Sequence, residues 1–289
     1  MSQNKNQARR NELRPKAKRG DQIAQYELGC CYDFAAPKGR RSAIRWYRKA
    51  AVQGHADAQN YLGESYRDGW TVAENKQTAI TWFRQPAEQG QEEALLSLGY
   101  CYFYGEGVEK CSKTALNWYR KAAELGNASA KCNIAHMYRQ GDAVEQSWAE
   151  AMRWYEEAGK ADNLNAAHWL ARIYGGQEDY PEDEAKALHW LGIAADGGDA
   201  QSQCDLAVQY YHGEGVKEDL EKAAQLYRLS AEQGDTWAQY LLGLCYRDGD
   251  GVKKNARTAL HWLDKASVDT REAKKAANKL RKNSKVISV

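Results

Sequence analysis

Residues 94–126 read ALLSLGYCYFYGEGVEKCSKTALNWYRKAAELG, and this stretch recurs in better or worse copies along the 289-residue chain. Within it, Ala94, Leu98-Gly99 and Tyr102 fall at i, i+4/i+5 and i+8, one face of an α-helix. Ala115, Trp118-Tyr119 and Ala122-Ala123 mark a second helical face at i, i+3/i+4 and i+7/i+8. Between the two faces lies Gly105-Glu106-Gly107-Val108. Glycine suits this turn because a helix C-terminus commonly needs a residue at positive φ.

Two rulers measure the recurrence. The central pair appears as Leu28-Gly29, Leu62-Gly63, Leu98-Gly99, Ile134-Ala135, Leu170-Ala171, Leu206-Ala207 and Leu242-Gly243, with a period of 36 residues after the first interval. Four residues beyond each leucine-type position stands Tyr32, Tyr66, Tyr102, Tyr138, Tyr174, Tyr210 or Tyr246. The second ruler is Trp46, Trp82, Trp118, Trp154, Trp190, Leu226 and Trp262. One helix pair cannot cover so large an apolar face, whereas stacked pairs can. The sequence predicts that the Trp and Tyr columns form the core, with Gly and Ala admitting close helix approach.

These residues resemble the Sel-one-like repeat, a relative of the tetratricopeptide repeat: L-G-x-x-Y-x-x-G-x-G-V followed by A-x-x-W-Y-x-K-A-A-x-x-G, over roughly residues 20–267. The resemblance implies an all-α, right-handed α/α superhelical solenoid of seven helix-turn-helix repeats, working as an adaptor with its first helices on a concave surface. The expected division is a basic capping helix at 1–19, seven repeats over 20–269 and a Lys-rich capping helix and tail at 270–289. A solenoid needs polar ends to stay soluble.

The charges nearly balance, at 41 Lys+Arg and 39 Asp+Glu, which argues against bulk nucleic-acid binding. Their layout is uneven. Residues 1–20 and 271–289 each hold seven basic residues and one acid, so the middle is acidic. Residues 142–184 alone hold eleven acids and three basic residues. The N-terminus has no apolar signal core and no run reaches membrane-spanning length, so a cytoplasmic protein without membrane insertion is expected.

Several copies depart from the pattern. Pro86 stands where other second helices carry Ala or Ser and is expected to kink its helix. Asp162 replaces a terminal glycine, and the first turn, 34–37, is shortened. The fifth repeat has GGQEDYPEDE at 175–184 in place of G-x-G-V. Degenerate, charged repeats can be a binding face or a weakly constrained solvated surface.

Catalytic signatures are sparse. There is no G-x-x-x-x-G-K, H-E-x-x-H or G-x-S-x-G. S-x-x-K occurs at Ser2 to Lys5, in a segment expected to be disordered. His189 and His261 share one A-L-H-W position two periods apart, which points to a structural role. Seven cysteines without a C-x-x-C pair suggest buried, reduced thiols, with Cys101–Cys111 the pairing left open. Cys132, His136, His168 and Cys204 have zinc-binding chemistry, but repeat spacing is wide for ligands at ~2.0–2.3 Å from one ion. No metal and no cofactor are expected.

By analogy with the tetratricopeptide repeat, the concave face carries columns near the central leucine. They supply the candidate partner-binding residues Asn60, Arg67, Tyr100, His136, Arg139, His168, Arg172, Tyr211, Trp237, Tyr240 and Arg247. Arg, Tyr and Trp are enriched among residues that dominate binding energy. The expected function is a non-catalytic scaffold for a protein or peptide partner, rather than for nucleic acid or a small-molecule substrate. Alternatives are an immunity protein that neutralises a toxin, which the resemblance suggests, and a hydrolase or metal-dependent enzyme.

Overall fold

A computed structural model describes residues 3–33, 37–176, 178 and 180–286. Among these residues there are sixteen α-helices and no strand. Seven helix pairs follow one another: α2 (Gln22–Asp33) with α3 (Pro37–Val52), α4 (Ala56–Asp68) with α5 (Lys76–Glu88), and α6 (Glu92–Tyr104) with α7 (Ser112–Glu124). Next come α8 (Ala128–Gln140) with α9 (Trp148–Gly159), and α10 (Leu164–Tyr174) with α11 (Glu184–Asp196). The last pairs are α12 (Ala200–His212) with α13 (Leu220–Glu232), and α14 (Thr236–Asp248) with α15 (Ala256–Ala266). Helices α1 (Gln3–Lys18) and α16 (Arg271–Val286) flank the pairs. The chain divides into two compact units, Met1–Trp154 and Tyr155–Val289, and the division falls inside α9. No helix among the described residues is long and apolar enough to cross a membrane.

Polar residues start these helices and glycines stop them. Asn75, Asn127, Asn163, Asp183, Asp199, Asp219, Asp235 and Asn255 each accept the backbone N–H three residues on. This satisfies a donor with no partner inside the helix. Gly105 ends α6 in the left-handed region at φ 76°, as expected for the first glycine of the turn. The second glycine answers a different demand. Gly107 lies so close to the first turn of α5 that a Cβ would stand 2.3 Å from the Lys76 carbonyl oxygen. Asp162 adopts φ 60° in place of the usual terminal glycine. Pro86 does not end α5, which runs on to Glu88. Its carbonyl accepts the Gln91 N–H at 2.9 Å, as the Ala122 carbonyl accepts that of Asn127 at 3.0 Å.

The core corrects one expectation. The fully enclosed aromatic is mostly not the Trp but the residue after it: Phe83, Tyr119 and Tyr155 are at most 2% exposed. The ring at that position lies against the glycine of the first helix. A Cβ on Gly99 would come within 2.4 Å of the Tyr119 ring, and one on Gly63 within 2.3 Å of Phe83. Trp46, Trp118 and Trp262 are only half-buried. Each is covered from outside by a lysine three residues on, at 4.7, 4.6 and 4.8 Å from the ring centre. Trp190, 6% exposed, is the buried exception. Most of the Tyr column is half-buried too, because its hydroxyls reach polar partners. Arg14, Arg48 and Arg120 donate to Tyr32, Tyr66 and Tyr138, and Arg228 to Tyr246.

A buried glutamine column ties successive pairs together. Gln25, Gln59, Gln203 and Gln239 donate to the carbonyls of Ala17, Ala51, Ala195 and Ala231 at 3.0–3.1 Å. Each acceptor lies in the last turn of the preceding helix, where carbonyls lack helical partners. The third to fifth repeats carry Leu95, Lys131 and Ala167 at this position and lack the tie.

Both flanking helices are packed against their neighbours. Leu13 and Ala17 of α1 are buried with Ala24 and Leu28, and Ala273 and Ala277 of α16 with Leu263 and Ala266. Lys5 therefore sits on a helix rather than in a disordered tail, and Ser2 lies outside the described residues. Most of the shortened first turn lies outside them as well.

Candidate functional site

The candidate residues on the first helices divide by what their side chains already do. In the first unit, Tyr100 is 41% exposed on α6 and Tyr104 is 57% exposed, with ring centres 4.3 Å apart. Arg67 of α4 lies over the Tyr100 ring at 5.9 Å and is held by Asp68 through bonds of 2.7 and 3.0 Å. Asn60 is buried and donates to Glu64 at 3.3 Å, so it offers a partner little surface. Burial raises the Glu64 carboxyl above its ordinary value.

His136 of α8 sits 3.6 Å from Cys132. Burial first, and the Arg139 charge second, lower the imidazole to about 4, so it is neutral at physiological pH. Burial also pushes the Cys132 thiol up to about 12. The neutral imidazole is the form that ligates a metal, whereas the protonated Cys132 thiol is not, since ligation needs a thiolate. Among the described residues no group of three His, Cys, Asp or Glu side chains is placed to hold a metal ion. Arg139 is half-buried on the same helix, and its carbonyl accepts from Gln146 at 2.9 Å.

In the second unit, Trp237 of α14 is 48% exposed and its ring centre is 5.2 Å from that of Tyr240. Arg247 on the same helix pairs with Asp248 through both carboxylate oxygens. Tyr211 donates to Asp250 at 2.8 Å, and that bond pushes its hydroxyl up to about 12. His168 and Arg172 of α10 stand apart from these, at the wall of a cavity of about 610 Å³. His168 lies 3.0 Å from the Ser202 hydroxyl and 3.6 Å from Asp199, and the Arg172 guanidinium covers the Trp169 ring at 5.0 Å.

Tyr104 was missed by the column reading, and the carboxylates of the cavity, Asp205 and Glu214, were missed with it. Tyr104 lies in the quoted stretch four residues from Tyr100, a spacing that does bring side chains together on a helix. The seven cysteines are free thiols, but not all are buried: Cys30 and Cys31 are half-buried and Cys111 is exposed. Cys101 and Cys111 are therefore unpaired with each other. His189 and His261 are exposed and rest edge-on against Trp190 and Trp262, each at 5.3 Å, as their shared repeat position predicts.

Comparison with known proteins agrees with the helical pairs. The Sel1 repeat model matches residues 22–55, 56–91, 92–127, 128–163, 164–199, 200–235 and 238–267. Comparison with curated protein sequences gave no match. Among solved structures, the chain is similar to c5321, a protective antigen of uropathogenic Escherichia coli with an SLR fold. The identity is 31% and the TM-score 0.68, over 93% of this chain and 58% of that one. This chain thus spans less than two thirds of the antigen's length. A Sel1 repeat protein from Oxalobacter formigenes is 27% identical with a TM-score of 0.69, over 78% of this chain and 95% of that one. Yeast Tom70, 13% identical with a TM-score of 0.58 over 96% of this chain and 58% of that one, shares the fold alone. Seven matched repeats, each placed on an observed helix pair, make this chain a member of the Sel1 repeat family.

Proposed function

We propose that the chain is a non-catalytic scaffold that holds a protein or peptide partner against its first helices. The observation that supports this reading is the set of large aromatics those helices leave exposed: Tyr100 and Tyr104 in one unit, and Trp237 in the other, beside the half-buried Tyr240. Tyr100, Tyr104 and Trp237 are not among the enclosed rings of the core, most of which come from the second helices. Exposed, rigid Tyr and Trp beside Arg67 and Arg247 are the residue types that dominate binding energy at protein interfaces.

The test is affinity capture from the host, comparing wild type with Tyr100→Ala/Tyr104→Ala and with Trp237→Ala/Tyr240→Ala. A stoichiometric partner lost by either variant, with unchanged thermal unfolding, supports the reading. The same partner retained by both variants moves the interface away from these helices. Relief of the captured partner's toxicity by the chain would narrow the role to neutralisation.

A further inference from the structure

The fifth repeat leaves part of its core uncovered. In the second to fourth repeats the turn between the helices carries a valine that packs on the core: Val72 in the second, Val108 in the third and Val144 in the fourth. The fifth has no such valine; its turn at 175–184 is glycine, glutamine, acid, tyrosine and proline. The consequence is local and measurable. At the first core position of the second helix, Ala43, Ala79, Ala115, Ala151, Ala223 and Ala259 are all 0% exposed. Ala187, their counterpart in the fifth repeat, is only half-buried, and so is Leu188 beside it.

Over these two residues lies the cavity of about 610 Å³, walled by α10, the first half of α11, α12 and the turn that follows α12. Its volume is within the ~300–1,000 Å³ of typical ligand sites. Ala171, Leu191 and Val208 continue the apolar floor. Four carboxylates stand around it: Glu182, Glu184, Asp205 and Glu214. None of the four forms an ion pair with a described residue. Asp205 accepts one bond, from Gln201 at 2.9 Å, and burial raises its carboxyl above the ordinary value. At the same wall His168 lies beside Ser202 and Asp199, and the Arg172 guanidinium lies over Trp169.

We propose that this groove docks a basic polypeptide segment, one lysine or arginine lying with its stem along Ala187 and Leu188 and its cation among the four carboxylates. The proposal rests on the protein-binding reading above and names the chemistry of the partner. An anionic segment would add like charge to carboxylates that already lack compensation, and a purely apolar one would bury them unpaired. A divalent cation does not suit the site, because no three carboxylates converge closely enough to ligate one. Long basic side chains match both surfaces at once, an aliphatic stem on the floor and a charged head at the rim.

The test is selection of unstructured twelve-residue peptides displayed on phage against the full chain, in parallel with Glu184→Gln/Asp205→Asn. Thermal unfolding of both proteins shows whether the variant is folded, and Glu182→Gln/Glu214→Gln, altered only at the rim, serves as a second variant. The proposal expects enriched peptides with a Lys or Arg at a shared position. Affinity should fall about tenfold or more when that residue is replaced by Met or when either double variant is used. Enriched peptides without a basic residue, or with equal affinity for the variants, overturn it. A concentration-dependent dimer abolished by the same substitutions overturns the assignment to a partner protein, because the basic end of a second copy would then fill the groove. No enrichment, with a cellular partner captured equally by wild type and variants, sinks this site alone. No enrichment and no captured partner sinks the scaffold reading as well.

Discussion

In the third repeat Ala115 and Leu116 are 0% and 4% exposed, within the core cluster against which Val108 packs. In the fifth repeat Ala187 and Leu188 are half-buried at the floor of a cavity. The fifth turn is longer because α10 ends earlier in its repeat than α6 does, yet the spacing from the Tyr column to the next helix is kept and both turns close with the same backbone bond: Cys111 N–H to the Tyr102 carbonyl at 2.8 Å, Asp183 N–H to the Tyr174 carbonyl at 2.9 Å. The frame of the repeat is therefore independent of what fills it. Backbone closure and helix caps keep the pair in place, and the turn's side chains decide whether the apolar floor is sealed or left for a partner.

The strongest way to break this comparison is to remove a sealed ring. Tyr119→Ala is expected to cost about 3–5 kcal/mol, because it empties an enclosed site. Leu188→Ala, half-buried at the cavity, should cost less, as an open site leaves little new void; chemical denaturation measures both. The sealed side also carries a titration cost. His136 is held near 4 against an ordinary 6.5, so the folded state binds fewer protons than the unfolded one between those values. Its contribution is present above pH 6.5 and lost as pH falls to about 4, a loss of about 2–3 kcal/mol. His136→Gln should flatten that part of the stability–pH curve.

Enlarging the floor sharpens the contrast. Ala115→Leu should destabilise by about 1–3 kcal/mol through overpacking. Ala187→Leu should stay within about 0.5 kcal/mol, since the cavity accepts the extra carbons. Equal costs at the two positions would mean that the fifth repeat is sealed as well. A further effect concerns the glutamine tie. Gln59→Leu leaves the Ala51 carbonyl without its buried donor and should cost about 1–2 kcal/mol; Leu95→Gln in the untied third repeat should recover less than that.

The repeat register, the helix pairs and the turn glycines were all legible, because each recurs at a fixed interval and has one dominant physical cause. Trp118 and Tyr119 show the limit of periodicity. Both columns keep the same period, so spacing cannot tell which residue points inward; the answer comes from Gly99, whose missing Cβ makes room for the Tyr119 ring. The glutamine column was hidden because a polar residue at helical spacing looks like a surface residue until its carbonyl partner is known. The fifth turn was visibly irregular, but the exposure of Ala187 depends on what a missing valine leaves behind. Asp205 and Glu214 joined the site only through the packing of α12 beside α10.

The most direct measurement is thiol labelling of Ala187→Cys and Ala115→Cys, each in a Cys111→Ser background that removes the exposed native thiol. Rapid modification at position 187 and strong protection at position 115 are expected in the folded protein. Equal protection at the two positions would contradict this, because the fifth repeat would then be as closed as the third.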